Sequence, residues 1–147
     1  MILQLTPNTH PILHERVKKC SYDLNRTELS KILYENMVHY NGVGLSANQI
    51  GINERVFIMV KDLEYNEIIT CFNPRIIKQS SKTVVMEEGC LSYPDKFVEV
   101  ERSETVVVKY EDENKVDHKI KLEGFAARVF LHEFDHMQGI NFTQRVR

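Results

Sequence analysis

Three residues near the C-terminus have the types and spacing of a metal-dependent hydrolase site: His132, Glu133 and His136. They form an H-E-x-x-H pattern within a segment that is predicted to be helical. Residues four positions apart in a helix lie on one face, so the two imidazoles can bind one metal ion. Glu133, beside the first histidine, can then act as general base toward a water molecule. The pattern therefore indicates metal-assisted attack of water on a carbonyl group.

Such a site needs a third protein ligand, because catalytic sites typically use three and leave one position for water. Residues 137–147 contain no His, Cys, Asp or Glu, so this ligand must come from upstream. The sequence favours Cys90, which follows Gly89 and lies between a strand-like run and Pro94. A glycine beside a ligand allows backbone geometry that other residues resist. Other upstream residues of suitable type are numerous: the histidines His10, His14, His39 and His118, two further cysteines and many acids.

The chain has three cysteines, Cys20, Cys71 and Cys90, and no C-x-x-C pair. An odd count without such a pair argues against a disulfide framework and fits a reducing compartment. We interpret Cys20 and Cys71 as structural residues, because a lone cysteine most often behaves as a small buried hydrophobic side chain.

Length and composition are those of one soluble globular domain, which we place at residues 1–147. Apolar residues make up 42% of the chain and charged residues 27%, and the net charge of −2 gives no reason to expect DNA or an anionic membrane as partner. No apolar run approaches the length of a membrane span. The N-terminus lacks the features of a secretory signal, so we expect a cytoplasmic protein.

Hydrophobic spacing predicts two helices that flank a series of short strands. The first helix spans Arg26 to Tyr40 with Asn25 as N-cap, and the last runs from about Phe125 to Gln138 with Gly139 following it. A Gly-containing loop occupies 42–51. We therefore expect an α+β domain with short mixed or antiparallel strands packed around the C-terminal helix. The predicted strands are 55–60, 68–72 (closed by Asn73-Pro74), 76–77, 83–86, 97–100, 105–110 and 116–122.

Three segments together resemble the signature motifs of the peptide deformylases, in the family's order: residues 42–49 (GVGLSANQ), 88–92 (EGCLS) and 132–136 (HEFDH). The likeness extends over essentially the whole chain. H-E-x-x-H is shared by many metallohydrolases, whereas E-G-C-L-S combined with the Gly-rich Gln motif is far more specific. The chain differs at Ser46, where Ala is usual, and at Leu131, where Gln often stands. It also stops soon after the third motif, where many bacterial members continue into a C-terminal helix.

This resemblance implies a single divalent metal ion held by Cys90, His132 and His136. Family members often use Fe²⁺, the expected native metal, and accept Zn²⁺, Ni²⁺ or Co²⁺. A thiolate with two neutral imidazoles suits such borderline ions. Glu133 would be the general base, and the Gln49 side chain with the Leu91 backbone N–H would stabilise the oxyanion.

The resemblance and the glycines of the loop also suggest substrate-binding residues. Gly44 could pair with an extended peptide. Asp135 could contact Arg102 or Glu88 behind the metal ligands, although a plain surface ion pair would also fit. Residues expected to line a pocket for a methionine side chain are Val43, Phe125, Arg128 and Val129.

The expected function is removal of the formyl group from N-formylmethionine of nascent polypeptides, with release of formate. An H-E-x-x-H metallopeptidase is the first alternative, and it is disfavoured because residues after His136 supply no ligand. A non-catalytic metal-binding homologue is the second. The expected partner is an N-formylmethionyl peptide. The nascent chain at the ribosome is a further candidate, although the docking helix of longer members is absent.

Overall fold

Two helices lie on opposite faces of a five-stranded antiparallel sheet: α1 (Arg26–His39) and α2 (Gly124–Met137). The computed structural model describes residues 1–146. The predicted α+β fold with a C-terminal helix among short strands is confirmed. Among the described residues, no helix is both long and apolar enough to cross a membrane.

The sheet has the strand order β1-β2-β3-β6-β7, and β4 and β5 form a separate two-stranded hairpin. All pairings are antiparallel. The strands are β1 (Gly44–Ser46), β2 (Val56–Asp62), β3 (Glu67–Gln79), β4 (Thr83–Cys90), β5 (Tyr93–Ser103), β6 (Thr105–Glu111) and β7 (Asp117–Glu123).

Strand β2 is buried on both faces and joins the two halves of the core. Phe57 and Met59 pack with residues of α2, whereas Ile58 and Val60 pack with residues of α1. This alternation follows from the two-residue period of side chains along a strand. Because both faces are covered, the strand reads as a nearly continuous apolar run.

Helix α2 is buried nearly all round, since it lies between the sheet and the β4–β5 hairpin. Its apolar side faces the sheet, where Phe130 packs edge-on against Phe57 with ring centroids 5.1 Å apart. The polar residues Glu133 and Asp135 are buried as well. Burial of polar groups is tolerated only when they have partners or a function, so we expect a functional site on α2.

The expected end of a strand at Asn73-Pro74 is wrong, because β3 continues through this dipeptide to Gln79. Asn73 has a φ of 51°, and the register with β6 shifts between Phe72 and Arg75, which defines a β-bulge. Asparagine tolerates positive φ better than most residues. Pro74 lies within this bulge, one of the few strand positions where proline is found.

The helix boundaries agree closely with prediction. The Asn25 side chain accepts a hydrogen bond from the Glu28 backbone N–H at 3.0 Å, as expected for an N-cap. Helix α2 begins without a side-chain cap, and Gly139 after it has the left-handed φ of 74°. The predicted Gly-containing loop contains regular structure, namely β1 and a 3₁₀ helix at Ala47–Ile50.

Candidate metal centre and active site

The side chains of Cys90, His132 and His136 converge between the hairpin and α2. Cys90 is the last residue of β4, and the two histidines are one turn apart on α2. One ligand atom from each lies within 4.8 Å of the others, and Cys90 Sγ is 3.4 Å from His136 Nε2. The structure therefore brings together the three residues that the motifs predicted as metal ligands.

This spacing fits a metal ion. Ligand distances of about 2.3 Å for sulfur and about 2.0 Å for nitrogen at a tetrahedral angle separate two ligand atoms by about 3.5 Å. The donor set of one thiol and two imidazoles suits a borderline divalent cation. The third observation is a buried polar atom without a partner: Oε1 of Glu133 has no hydrogen bond among the described residues. Three ligands beside such a carboxylate match an open catalytic site better than a closed structural one.

Both histidines would bind metal as neutral rings, and their surroundings differ. Burial lowers the pKa of His136 well below its ordinary value. Burial also acts to lower the pKa of His132, but hydrogen bonds to Cys90 and Glu88 outweigh it and raise the pKa to about 10. Metal binding at His132 would therefore displace a proton, as expected where a ligand must be deprotonated.

Glu88 holds the His132 ring in place. Its Oε1 lies 2.9 Å from His132 Nδ1, so Nε2 of that ring is directed toward Cys90. Arg102 and Arg128 both donate to Oε2 at 2.6 Å. Burial alone would raise the pKa of Glu88, but the bonds from His132 and Arg102 hold it well below its usual range. Glu88 is therefore a carboxylate at neutral pH.

Arg102 extends this network to α2 by donating to Asp135 Oδ2 at 2.8 Å. Asp135 also accepts from Arg145 at 3.0 Å. Of the two partners expected for Asp135, the structure gives Arg102, which itself lies between Asp135 and Glu88. The ion pair is buried rather than on the surface, with 5% and 7% of the side chains exposed.

Glu133 is the buried acid beside the three ligands. Its exposed fraction is 4%, and burial raises the pKa of its carboxyl group to about 7. A Cβ atom on Gly44 would lie only 2.7 Å from Glu133 Oε2. Glycine at position 44 therefore leaves the space that the carboxylate occupies.

Gln49 is buried in the same site, with 1% of its surface exposed, rather than being a surface polar residue. Its Oε1 accepts from the Ser46 backbone N–H at 3.0 Å. Its Nε2 donates to Ser92 Oγ at 3.0 Å and lies 3.5 Å from Cys90 Sγ. The amide is thus held with its donor toward the metal ligands.

A family model described as "Polypeptide deformylase" matches residues 2–147. The chain belongs to the peptide deformylase family. It is 43% identical over 137 residues to the peptide deformylase of Thermotoga maritima. The aligned part covers 92% of this chain and 82% of that relative. It is 38% identical over 149 residues to the chloroplastic peptide deformylase 1B of Oryza sativa subsp. japonica, covering 98% of this chain and 55% of that relative.

Solved peptide deformylases have the same fold. The crystal structure of the Thermotoga maritima protein superposes with a TM-score of 0.94 at 39% identity and covers 100% of this chain and 99% of that one. A Met-Ala-Ser-bound class I type b peptide deformylase from Acinetobacter baumannii gives a TM-score of 0.91 at 32% identity, with 99% of each chain covered. The protein is therefore an enzyme of the deformylase family.

A cleft of about 530 Å³ opens beside the three candidate metal ligands. All the residues predicted to bind substrate line it: Val43, Gly44, Phe125, Arg128 and Val129. The guanidinium of Arg128, however, is bonded to Glu88 and to two hairpin carbonyls, so the aliphatic part of the side chain is what remains for the cleft.

Several lining residues were not predicted from the sequence. They come from the hairpin, which folds over α2 and contributes Met86, Tyr93 and Phe97. Tyr93 directly follows the E-G-C-L-S motif, and this position next to the motif is the sequence feature that could have indicated its place in the cleft. Met86 lies on β4 and Phe97 on β5, and the pairing of these two strands with each other cannot be predicted from the periodicity of either one.

Proposed function

We propose that the chain removes the formyl group from N-formylmethionine at the start of nascent polypeptides and releases formate. The observation that carries the proposal is the convergence of one thiol and two imidazoles beside a buried carboxylate, Glu133, whose Oε1 has no partner among the described residues. Family membership supplies the reaction class.

In this proposal Cys90, His132 and His136 hold one divalent ion. Fe²⁺ is the proposed native metal, with Zn²⁺, Ni²⁺ and Co²⁺ as alternatives that the same ligands accept. When bound, such an ion lowers the pKa of a water molecule and polarises the substrate carbonyl. Glu88 keeps the His132 ring oriented for this purpose.

Glu133 moves the proton. It takes a proton from the attacking water as the new C–O bond forms at the formyl carbon, and it then gives that proton to the departing α-amine as the C–N bond breaks. The products are formate and a peptide with a free N-terminal methionine. A buried carboxyl group beside Gly44 has room for this role, because glycine leaves the Oε2 position clear.

Gln49 and Leu91 stabilise the oxyanion of the tetrahedral intermediate. The Gln49 amide is held by Ser46 and Ser92 with Nε2 toward Cys90, which supports its role as a fixed donor. The backbone N–H of Leu91, the residue after Cys90, is the second proposed donor. Fixed donors of this kind need no reorganisation as charge develops.

The cleft binds the start of the substrate peptide. We propose that Val43, Phe125, Val129 and the stem of Arg128 receive the methionine side chain, and that Gly44 pairs with the peptide backbone. The Acinetobacter baumannii relative is described as bound to Met-Ala-Ser, a peptide that begins with methionine. This description supports the choice of a methionyl peptide for this chain.

The test compares formyl-Met-Ala-Ser with Met-Ala-Ser under anaerobic conditions, with the metal content measured by elemental analysis. We expect formate and intact Met-Ala-Ser from the first peptide and no change in the second. Mass spectrometry of both reactions identifies the products. Cleavage of an internal peptide bond would instead identify a metallopeptidase. Metal uptake with both peptides unchanged would identify a non-catalytic homologue.

A further inference from the structure

Strands β3, β6 and β7 present five basic side chains on the sheet face opposite α2, which we call the basic sheet face. On that face, helix α1 covers β1, β2 and residues 70–72 of β3, and Arg26 reaches Glu111 on β6. The basic residues lie beyond this covered part of the sheet. Four of the five residues are exposed, and Lys109 is half-buried. The residues of the basic sheet face are Arg75, Lys78, Lys109, Lys119 and Lys121.

Strand register arranges these cations in two rows. Arg75 pairs with Lys109, and Lys109 pairs with Lys119, so three cations stand side by side across three strands. In the next row Lys78 and Lys121 stand on either side of Val107. Residues directly opposite each other in a sheet point to the same face. The neighbouring core residues Val106 and Val108 confirm which face this is, because they are buried against α2.

The rows are poorly neutralised. Lys121 has an acid within reach, Glu123 at 3.3 Å. Within the described part of the chain, Arg75, Lys78, Lys109 and Lys119 have no acidic oxygen within 4.0 Å. Like charges placed directly opposite in a sheet are destabilising. The acids on the same face flank the two rows: Glu111 pairs with Arg26, Glu123 pairs with Lys121, and Asp117 is exposed. A net charge of −2 for the whole chain means that the remaining surface is acidic, so the two rows are a local exception.

We propose that the basic sheet face binds the phosphate backbone of an RNA duplex. The face is positive, and a duplex backbone is a regular array of negative charges whose neutralisation releases counterions. Neither row contains an aromatic residue, so the stacking of unpaired bases that single-strand binders use is not available. Contacts to phosphates alone carry no sequence information, so binding should be independent of sequence.

An anionic membrane is a weaker fit. Stable attachment of a peripheral surface combines cations with apolar side chains that enter the bilayer boundary. Among the two rows the apolar residues are Val107, which is half-buried, and Ile77, which is 46% exposed beside Lys78, and two aliphatic side chains provide little area to enter a bilayer. The choice of RNA over DNA rests on the proposed function, because nascent polypeptides are made on an RNA-rich particle.

The experiment measures fluorescence anisotropy of a labelled RNA duplex of about 16 base pairs with the metal-loaded protein, over about 50 to 200 mM salt. A DNA duplex of the same sequence and anionic phospholipid vesicles are the comparison probes. We expect binding to RNA at low salt, at least as tight as to DNA, with a log–log salt slope of about −4 if most of the five cations engage phosphates.

The test variant is Lys119→Glu with Lys121→Glu, and the matched control is Lys18→Glu with Lys19→Glu. Both change the net charge equally at exposed lysines. In the test variant, affinity for the RNA duplex should fall about tenfold or more, and the log–log salt slope should become less negative by about 2. The control variant should keep the affinity and the slope of the unchanged protein. Lys119→Glu also creates an opposite-charge pair with Lys109, whereas Lys121→Glu removes the exposed ion pair with Glu123. The two effects oppose each other, so the variant should remain folded, which thermal unfolding would verify.

Three results would overturn the inference: no RNA binding at low salt, equal losses in the test and control variants, or tighter binding to DNA or to vesicles than to RNA. Deformylation of formyl-Met-Ala-Ser, assayed on the same proteins, should be unchanged in both variants. Absence of that activity in every protein, with RNA binding intact, would refute the proposed function while supporting this surface.

Discussion

Oε1 of Glu88 lies 2.9 Å from Nδ1 of His132, and the same carboxylate forms ion pairs with Arg102 and Arg128. One acid on the hairpin thus orients a proposed metal ligand on α2 and neutralises two buried guanidinium groups. Arg102 in turn reaches Asp135 on α2. The hairpin and the helix are therefore joined by charge as well as by packing.

Glu88→Gln should destabilise the protein by about 3 kcal/mol or more, because it leaves the buried Arg128 without its acidic partner and Arg102 with Asp135 alone. Urea unfolding in the presence of a chelator measures this without a contribution from metal. Glu87→Gln is the control, since Glu87 is exposed on the same strand and should change stability by less than about 0.5 kcal/mol. Equal unfolding midpoints for the two variants would contradict the proposed role of the Glu88 network.

Glu133→Gln should retain the metal and lower turnover by about 10²-fold or more, because an amide cannot take the proton from water. Formate release and elemental analysis measure the two properties separately. Glu123→Gln, at the exposed start of the same helix, should keep full activity. An active Glu133→Gln enzyme would remove Glu133 from the mechanism.

Gly44→Ala should lower kcat/KM by about tenfold or more, since even a small displacement of a catalytic group is costly. The new methyl group would lie 2.7 Å from Glu133 Oε2 and would force the carboxylate to move. Gly42→Ala is a milder comparison, because its methyl group would meet Cδ1 of Leu91 at 2.9 Å, the far end of a flexible side chain. Steady-state kinetics on formyl-Met-Ala-Ser should show the larger loss for Gly44→Ala, and the reverse order would be inconsistent with this geometry.

Removal of the metal should make Cys90 the one thiol that reacts with iodoacetamide at pH 8. Cys71 is fully buried, and burial raises the pKa of Cys20 to about 11, so only about 0.1% of that thiol is ionised at pH 8. Labelling of Cys20 should rise as the pH approaches 11. Peptide mass mapping with and without chelator gives the result, and Cys90→Ser should abolish the label. Fast labelling of Cys20 at pH 8 would contradict the raised pKa of its thiol.

The sequence predicted most of the local structure, because helices and ligand spacing are local properties. Asn25, a favourable N-cap residue, predicts the start of α1. The spacing of His132 and His136 predicts which face of α2 carries the site. The choice of Cys90 as the third ligand came from the motif in which it lies. The structure adds the distance, 3.4 Å from its Sγ to His136 Nε2.

Other features depend on pairings between distant segments, which periodicity does not encode. The bulge at Asn73 is not predictable from its neighbours, because Asn-Pro is typical of a turn and therefore indicates a strand end. The sequence suggests Glu88 as a partner for Asp135, whereas the contacts of Glu88 are with Arg102, Arg128 and His132. The basic sheet face was hidden because the overall charge of −2 averages over surfaces that strand register keeps apart.

The β4–β5 hairpin shares no strand pairing with the main sheet within residues 1–146, yet it carries Cys90. The position of that sulfur therefore depends on side-chain contacts across to α2 rather than on a continuous ladder of backbone bonds. Grafting the H-E-x-x-H helix alone into another scaffold would leave its histidines without their third partner and without Glu88. The smallest transplantable unit is the hairpin together with the helix, and homologues that change one should show compensating changes in the other.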